Sequence, residues 1–159
     1  MGYKQQTSTL HDKLKVLGRD LLLDTLPSII DGTASRTPQN ADEATFAFTI
    51  QKEDERIDFS RSKYAIYNQI RGLNAWPGAY TILDGKRIKV WASRITDEYY
   101  PEKLNGSITN LYPDGIGVKV DNGEIVFTEI QPEGKGKMKA SDYINGVQNK
   151  EELLESIFE

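Results

Sequence analysis

The chain has 159 residues, 38% hydrophobic and 28% charged, with a formal net charge of −4. That composition supports one modest core, as a single domain or a small domain with an extension, and argues against whole-surface attraction to nucleic acid. Cysteine is absent and histidine occurs once, as His11, which excludes a disulfide framework, a Cys nucleophile and His/Cys metal constellations.

Any Ser-His-Asp arrangement would have to use His11, which sits in a helical pattern beside Asp12 and Lys13 and reads as a solvated helix residue. No apolar run approaches the roughly 20 residues of a membrane span, and no signal-peptide pattern opens the chain. Charge is unevenly spread. Residues 1–74 carry ten basic and ten acidic groups, residues 75–140 nine and nine, and residues 141–159 one and five. The acidic excess therefore lies in the last stretch, and the middle is able to present a one-sided cationic face.

Thr7 and Ser8 are cap candidates before an apolar series at Leu10, Leu14, Leu17, Leu21, Leu22 and Leu26, so an amphipathic helix is expected, perturbed by Pro27 and stopped by Gly32. The stretch TASRTPQNADEATFAFTI reads as a surface linker with a short extended piece near Phe46 to Ile50. KEDER, Lys52 to Arg56, is a solvated turn or helix start, and its carboxylates, with Asp12 and Asp58, read as caps and surface charges. Ser60 and Ser62 are cap candidates for a second helix near Lys63 to Leu73, with Ile66, Tyr67, Ile70 and Leu73 on its apolar face. Trp76-Pro77-Gly78 forms a corner after it, with Trp76 expected to pack the helix against a β barrel.

Strand signals then dominate. Residues 79–83 alternate, Asp84-Gly85 is a type I′ hairpin signal, and Ile88, Val90 and Ala92 alternate with Lys89, Trp91 and Ser93. Gly106 to Tyr112, Ile116 to Val120 and Glu124 to Ile130 come next as strands, separated by Pro113-Asp114-Gly115 and Asp121-Asn122-Gly123. Five short strands with tight turns favour a small antiparallel barrel, because closure removes exposed edges. Ala140 to Asn145 is a short helix, and Lys150 to Phe158 reads as a last helix carrying Leu153, Leu154, Ile157 and Phe158. The expected fold class is mainly β with flanking helices (α+β). A small OB-like barrel is preceded by a helix over 1–32 and a linker over 33–60, and the barrel with its terminal helix spans 61–159.

The cations Lys86, Arg87, Lys89 and Arg94 lie on and after the first hairpin. Such spacing suits a phosphate backbone, and equally suits a solvated strand face that blocks edge pairing. Lys135, Lys137 and Lys139 alternate with Gly134, Gly136 and Met138. That pattern suits close backbone approach to an RNA helix, or a surface loop, and is not a P-loop.

Four segments carry a family resemblance: LHDKLKVLG (Leu10 to Gly18), IQKEDERIDFS (Ile50 to Ser60), IRGLNAWPGAYTILDGKRIKVW (Ile70 to Trp91) and TEIQPEGKGKM (Thr128 to Met138). The last two are specific in combination. The chain resembles the C-terminal, tRNA-binding domain of methionyl-tRNA formyltransferase over about Ser8 to Asn145. The resemblance implies an OB-like barrel and a cytoplasmic protein. It implies two partners, initiator methionyl-tRNA and a catalytic formyltransferase domain. The first helix resembles the end of that catalytic domain, and its leucine face is also a candidate for self-association.

The family's Rossmann-like catalytic domain, its catalytic asparagine, histidine and aspartate, and its Ser-Leu-Leu-Pro loop have no counterparts here. The resemblance therefore assigns no catalytic, metal or cofactor residue to this chain, and 10-formyltetrahydrofolate belongs to the catalytic domain. Nucleic-acid binding falls to Lys86, Arg87, Lys89, Arg94, Lys135, Lys137 and Lys139. Sugar-nucleotide formyltransferases, and the folate dehydrogenase with a formyltransferase-like domain, share the architecture, but Trp-Pro-Gly and QPEGKGKM lean toward the tRNA enzyme. The opening MGYKQQTS resembles no family opening, which favours a fragment or a displaced start codon, and the tail VQNKEELLESIFE is more acidic than the family pattern and carries none of the resemblance.

Overall fold

The computed structural model describes residues 5–159. An N-terminal helix α1 (Thr7–Ile30) leads through a 3-10 turn (Ala41–Glu43) to a one-turn helix α2 (Lys52–Glu55) and then α3 (Lys63–Gly72). Six strands come after it: β1 (Ala79–Leu83), β2 (Lys86–Ile95), β3 (Ile108–Tyr112), β4 (Gly115–Val120), β5 (Gly123–Pro132) and β6 (Met138–Lys139). Helices α4 (Ala140–Gly146) and α5 (Lys150–Glu155) complete the α+β fold.

Helix α3 begins where Ser62 accepts from the Ala65 amide at 3.2 Å, and it buries Ile66 and Ile70. Helix α1 starts one position earlier than its expected caps. Gln6 is its N-cap, and Thr7 and Ser8 bond instead to the end of α3, Thr7 Oγ1 donating to Gly72 O at 2.6 Å and the Ser8 amide to Asn74 O at 3.1 Å. Pro27 is accommodated inside α1, and Gly32 lies just beyond its end with φ 77°. Among the described residues, none of α1 is buried. His11 is solvated, with its Nδ1 3.5 Å from Asp12. In the linker the segment around Phe46 and Phe48 belongs to no strand, and both rings are exposed. Ile57 and Phe59, further along, are core residues.

The sheet is antiparallel in the order β1-β2-β5-β4-β3, with β6 also pairing β5. Asp84 and Gly85 both have positive φ, 51° and 72°, as a type I′ hairpin requires. Ile88, Val90, Ile116, Val118, Val120, Ile125, Phe127 and Ile130 fill the core, and Phe59, Phe127 and Phe158 form a ring cluster with centroids 5.6 to 6.3 Å apart. The β2–β5 register steps near Ala92, where the simple alternation of β2 ends.

Among the described residues no ladder joins the edge strands β1 and β3, so the barrel is not closed by strands alone. The chain's last residues fill that gap. The expected helix over Lys150 to Phe158 stops at Glu155, and Ser156 to Glu159 run extended. The Phe158 and Ile108 amides donate to Gly106 O and Ser156 O, at 2.9 and 3.2 Å. Glu159 and Ile82 exchange both backbone bonds, at 2.9 and 3.3 Å. The acidic tail is thus stitched to both sheet edges by its backbone, and Phe158 is buried.

Candidate nucleic-acid interface

Strand alternation sends Ile88 and Val90 inward and leaves Arg87, Lys89 and Trp91 on the outer face of β2. The Arg87 guanidinium lies 4.3 Å from the Tyr80 ring centroid on β1. Lys89, opposite Tyr80 and Gln131 in the register, donates from Nζ to Pro77 O at 3.0 Å. Its ammonium also stands 5.5 Å from the Trp91 ring, and the Lys137 ammonium stands 5.9 Å from the same ring.

Gln131 ties this face to the glycine-broken loop. Its Oε1 accepts from Trp91 Nε1 at 3.1 Å, and its Nε2 donates to Lys135 O at 3.0 Å. Glu133 accepts from the Arg87 amide at 3.3 Å and donates its own amide to Arg87 O at 2.9 Å, while Lys137 pairs with Glu129 at 2.6 Å. A shallow groove of about 530 Å³ runs here, with Arg87, Lys89, Gln131 and Gly134 among its walls. Three cations (Arg87, Lys89, Lys137) stand with two carboxylates (Glu129, Glu133), and the exposed Lys135 lies on the adjoining loop, so this region is net positive on a chain of net charge −4.

The other expected cations stand apart. Lys86 is exposed at the hairpin tip, and Lys139 is exposed on β6 at the start of α4. Arg94 lies further along β2 and makes a bidentate pair with Asp114, at 2.6 and 2.8 Å, over the Tyr112 ring at 4.9 Å. The hydrogen bond from Arg94 holds the Asp114 carboxyl below the usual aspartate range and raises Arg94 in turn. Arg94 belongs to a second polar cluster centred on Glu124, which is fully buried and accepts hydrogen bonds from Thr96 (2.7 Å), Thr109 and Tyr112 (3.0 Å). Burial, then the bond to Glu124, pushes the Tyr112 phenol well above its ordinary range. Gly117 makes the space, since a Cβ there would lie 2.5 Å from Glu124 Oε1.

Sequence reasoning missed Tyr80 and Gln131, whose only signal is their register opposite Lys89. It also misassigned Trp76. That side chain does not pack the helix against the barrel: it is 85% exposed. The corner is anchored by its neighbours, with Asn74 Nδ2 donating to Trp91 O at 2.6 Å and the Gly78 amide to Leu73 O at 2.9 Å.

With this geometry in view, comparison with known proteins is decisive. The family profile of the formyl transferase C-terminal domain matches residues 49–148. The chain belongs to this family. Similar curated proteins are methionyl-tRNA formyltransferases. That of Macrococcus caseolyticus is 41% identical over 141 residues, covering 89% of this chain and 44% of the relative. Those of Lactobacillus gasseri and Bacillus subtilis are 45% and 44% identical, each over 140 residues and 44% of the relative, covering 88% and 87% of this chain. The chain therefore spans under half the length of these relatives. Among solved structures, a HypX variant from Aquifex aeolicus shares the fold of this formyl transferase C-terminal domain, with a TM-score of 0.64 at 14% identity, over 92% of this chain and 27% of that one. No helix of the described residues is long and apolar enough to cross a membrane.

Proposed function

We propose that this chain is the RNA-holding part of a methionyl-tRNA formyltransferase. It grips initiator tRNA so that a catalytic domain, bound to 10-formyltetrahydrofolate, transfers the formyl group to the methionyl amine in the cytoplasm. The observation that carries this reading is the net-positive face on which Lys89 and Lys137 flank Trp91 and Arg87 lies over Tyr80, with Lys135 exposed on the adjoining loop, on a domain whose relatives are tRNA formyltransferases. Cations on a strand and a glycine-freed loop neutralise phosphates and release counterions without reading bases, which suits RNA recognised by shape. The exposed leucine face of α1 supplies the second contact, toward the catalytic domain. The chain alone transfers no formyl group in this reading.

The test is a salt titration of tRNA binding. Affinity falls steeply with salt, and Lys135→Ala with Lys137→Ala reduces the log–log slope by about two, roughly one per lost phosphate contact. A flat titration, or formyl transfer by the isolated chain supplied with cofactor and charged tRNA, sinks the proposal.

A further inference from the structure

The two tryptophans of the chain have opposite situations. Trp91 is half-buried and occupied. It supports Lys89 and Lys137, bonds Gln131, and lies against Gly78, where a Cβ would come within 3.1 Å of its ring. Trp76, two residues before Gly78, turns 85% of its surface to solvent. It does so from a corner held by the Asn74 and Gly78 hydrogen bonds and by the Ser8 amide on Asn74 O. The corner also borders the cationic face directly, because Pro77 O is an acceptor for the Lys89 ammonium at 3.0 Å.

An exposed ring on an anchored backbone corner presents its face to solvent, and every nucleobase offers it a π-face. Cations beside such a ring are the combination that single-stranded nucleic acid requires, with charge along the backbone and an aromatic platform under a base. An apolar protein surface would gain little from the cationic face that borders the corner through Lys89. We propose that Trp76 is the stacking platform for an unpaired nucleobase of the RNA whose phosphates cross the Arg87, Lys89 and Lys137 face. This rests on the RNA-holding role above and adds to it a preference for a junction between duplex and single strand.

The test compares a blunt RNA duplex with the same duplex carrying an unpaired overhang, using the full chain and Trp76→Ala, Trp76→Phe and Trp76→Tyr variants. Subtracting the emission of Trp76→Phe from that of the unmodified chain isolates the Trp76 signal. The overhang RNA quenches that signal. Trp76→Ala binds it roughly tenfold more weakly, Trp76→Tyr recovers most of the loss, and neither variant changes the salt slope or the affinity for the blunt duplex. If both RNAs bind every variant equally and the Trp76 signal stays constant, the stacking role is overturned while the RNA-holding role stands. If the unmodified chain binds neither RNA, both fall. A Trp76 signal that changes with protein concentration in RNA-free solution assigns the ring to a protein contact and also overturns the proposal.

Discussion

The sheet body and helix α1 are built from the same kinds of apolar residue, yet they use them in opposite ways. In the body Ile66, Ile108, Ile116, Val118 and Phe127 are completely buried. In α1 Leu14, Leu17, Leu21, Leu22 and Leu23 are all more than half exposed, and the hydrogen bonds tying the helix to the body lie at its first turn. Most helical stability in proteins comes from packing an apolar face. The body satisfies itself, whereas the leucines of α1 are covered by none of the described residues.

The sharpest way to break this contrast is to shorten one side chain in each region. Phe127→Ala should cost about 3–5 kcal/mol in urea unfolding, because its ring is fully buried against Phe59 and Phe158. Leu17→Ala with Leu21→Ala should move the midpoint by no more than ~0.5 kcal/mol. Comparable losses from both would mean that α1 packs on the body in solution. A smaller effect sharpens the picture within the body: Gly117→Ala should cost about 1–3 kcal/mol by crowding Glu124 and Thr109, and a neutral result would show that the polar cluster yields easily.

A further small effect is a pH dependence. The Asp114 carboxyl is depressed in the folded chain by Arg94, so its contribution is complete above the unfolded aspartate pKa of about 3.9 and is lost as pH falls through the lower folded value. The pair is half-exposed, and its worth is at most about 1 kcal/mol. Asp114→Asn should therefore flatten the acid limb of the stability profile slightly, and an unchanged limb would remove the pair from the balance.

Local chemistry was legible wherever it was decided locally. Ser62 announces α3, Asp84-Gly85 dictates its own turn, and the alternation of β1 and early β2 shows which residues enter the core. The grouping of Arg87 and Lys89 with Lys135 and Lys137 follows from hairpin and loop positions combined with a family resemblance. The failures share one cause, partners that arrive from far along the chain. Glu124, the first residue of an expected strand, carries no local sign of burial, and Thr96, Thr109 and Tyr112 converge on it from other strands and loops. Leu153, Leu154, Ile157 and Phe158 suit a helix by spacing, but the backbones of Ile82, Gly106 and Ile108 claim the last four residues. Trp76 carries no local signal for exposure, since the anchoring duty has passed to Asn74 and Gly78.

The stitching of the tail makes the barrel a cylinder with a seam. Around the rest of its wall, strands meet along ladders, whereas among the described residues the backbone bonds that bridge β1 and β3 run through residues 156–159. Local opening follows the line of fewest bonds. Amide exchange at Ile82, Ile108, Phe158 and Glu159 should therefore run ahead of exchange in β4 and β5. One such excursion would bare two strand edges and the Phe158 site together, which is the surface that invites another chain to pair. Four residues thus cover two strand edges that would otherwise stand open to pairing.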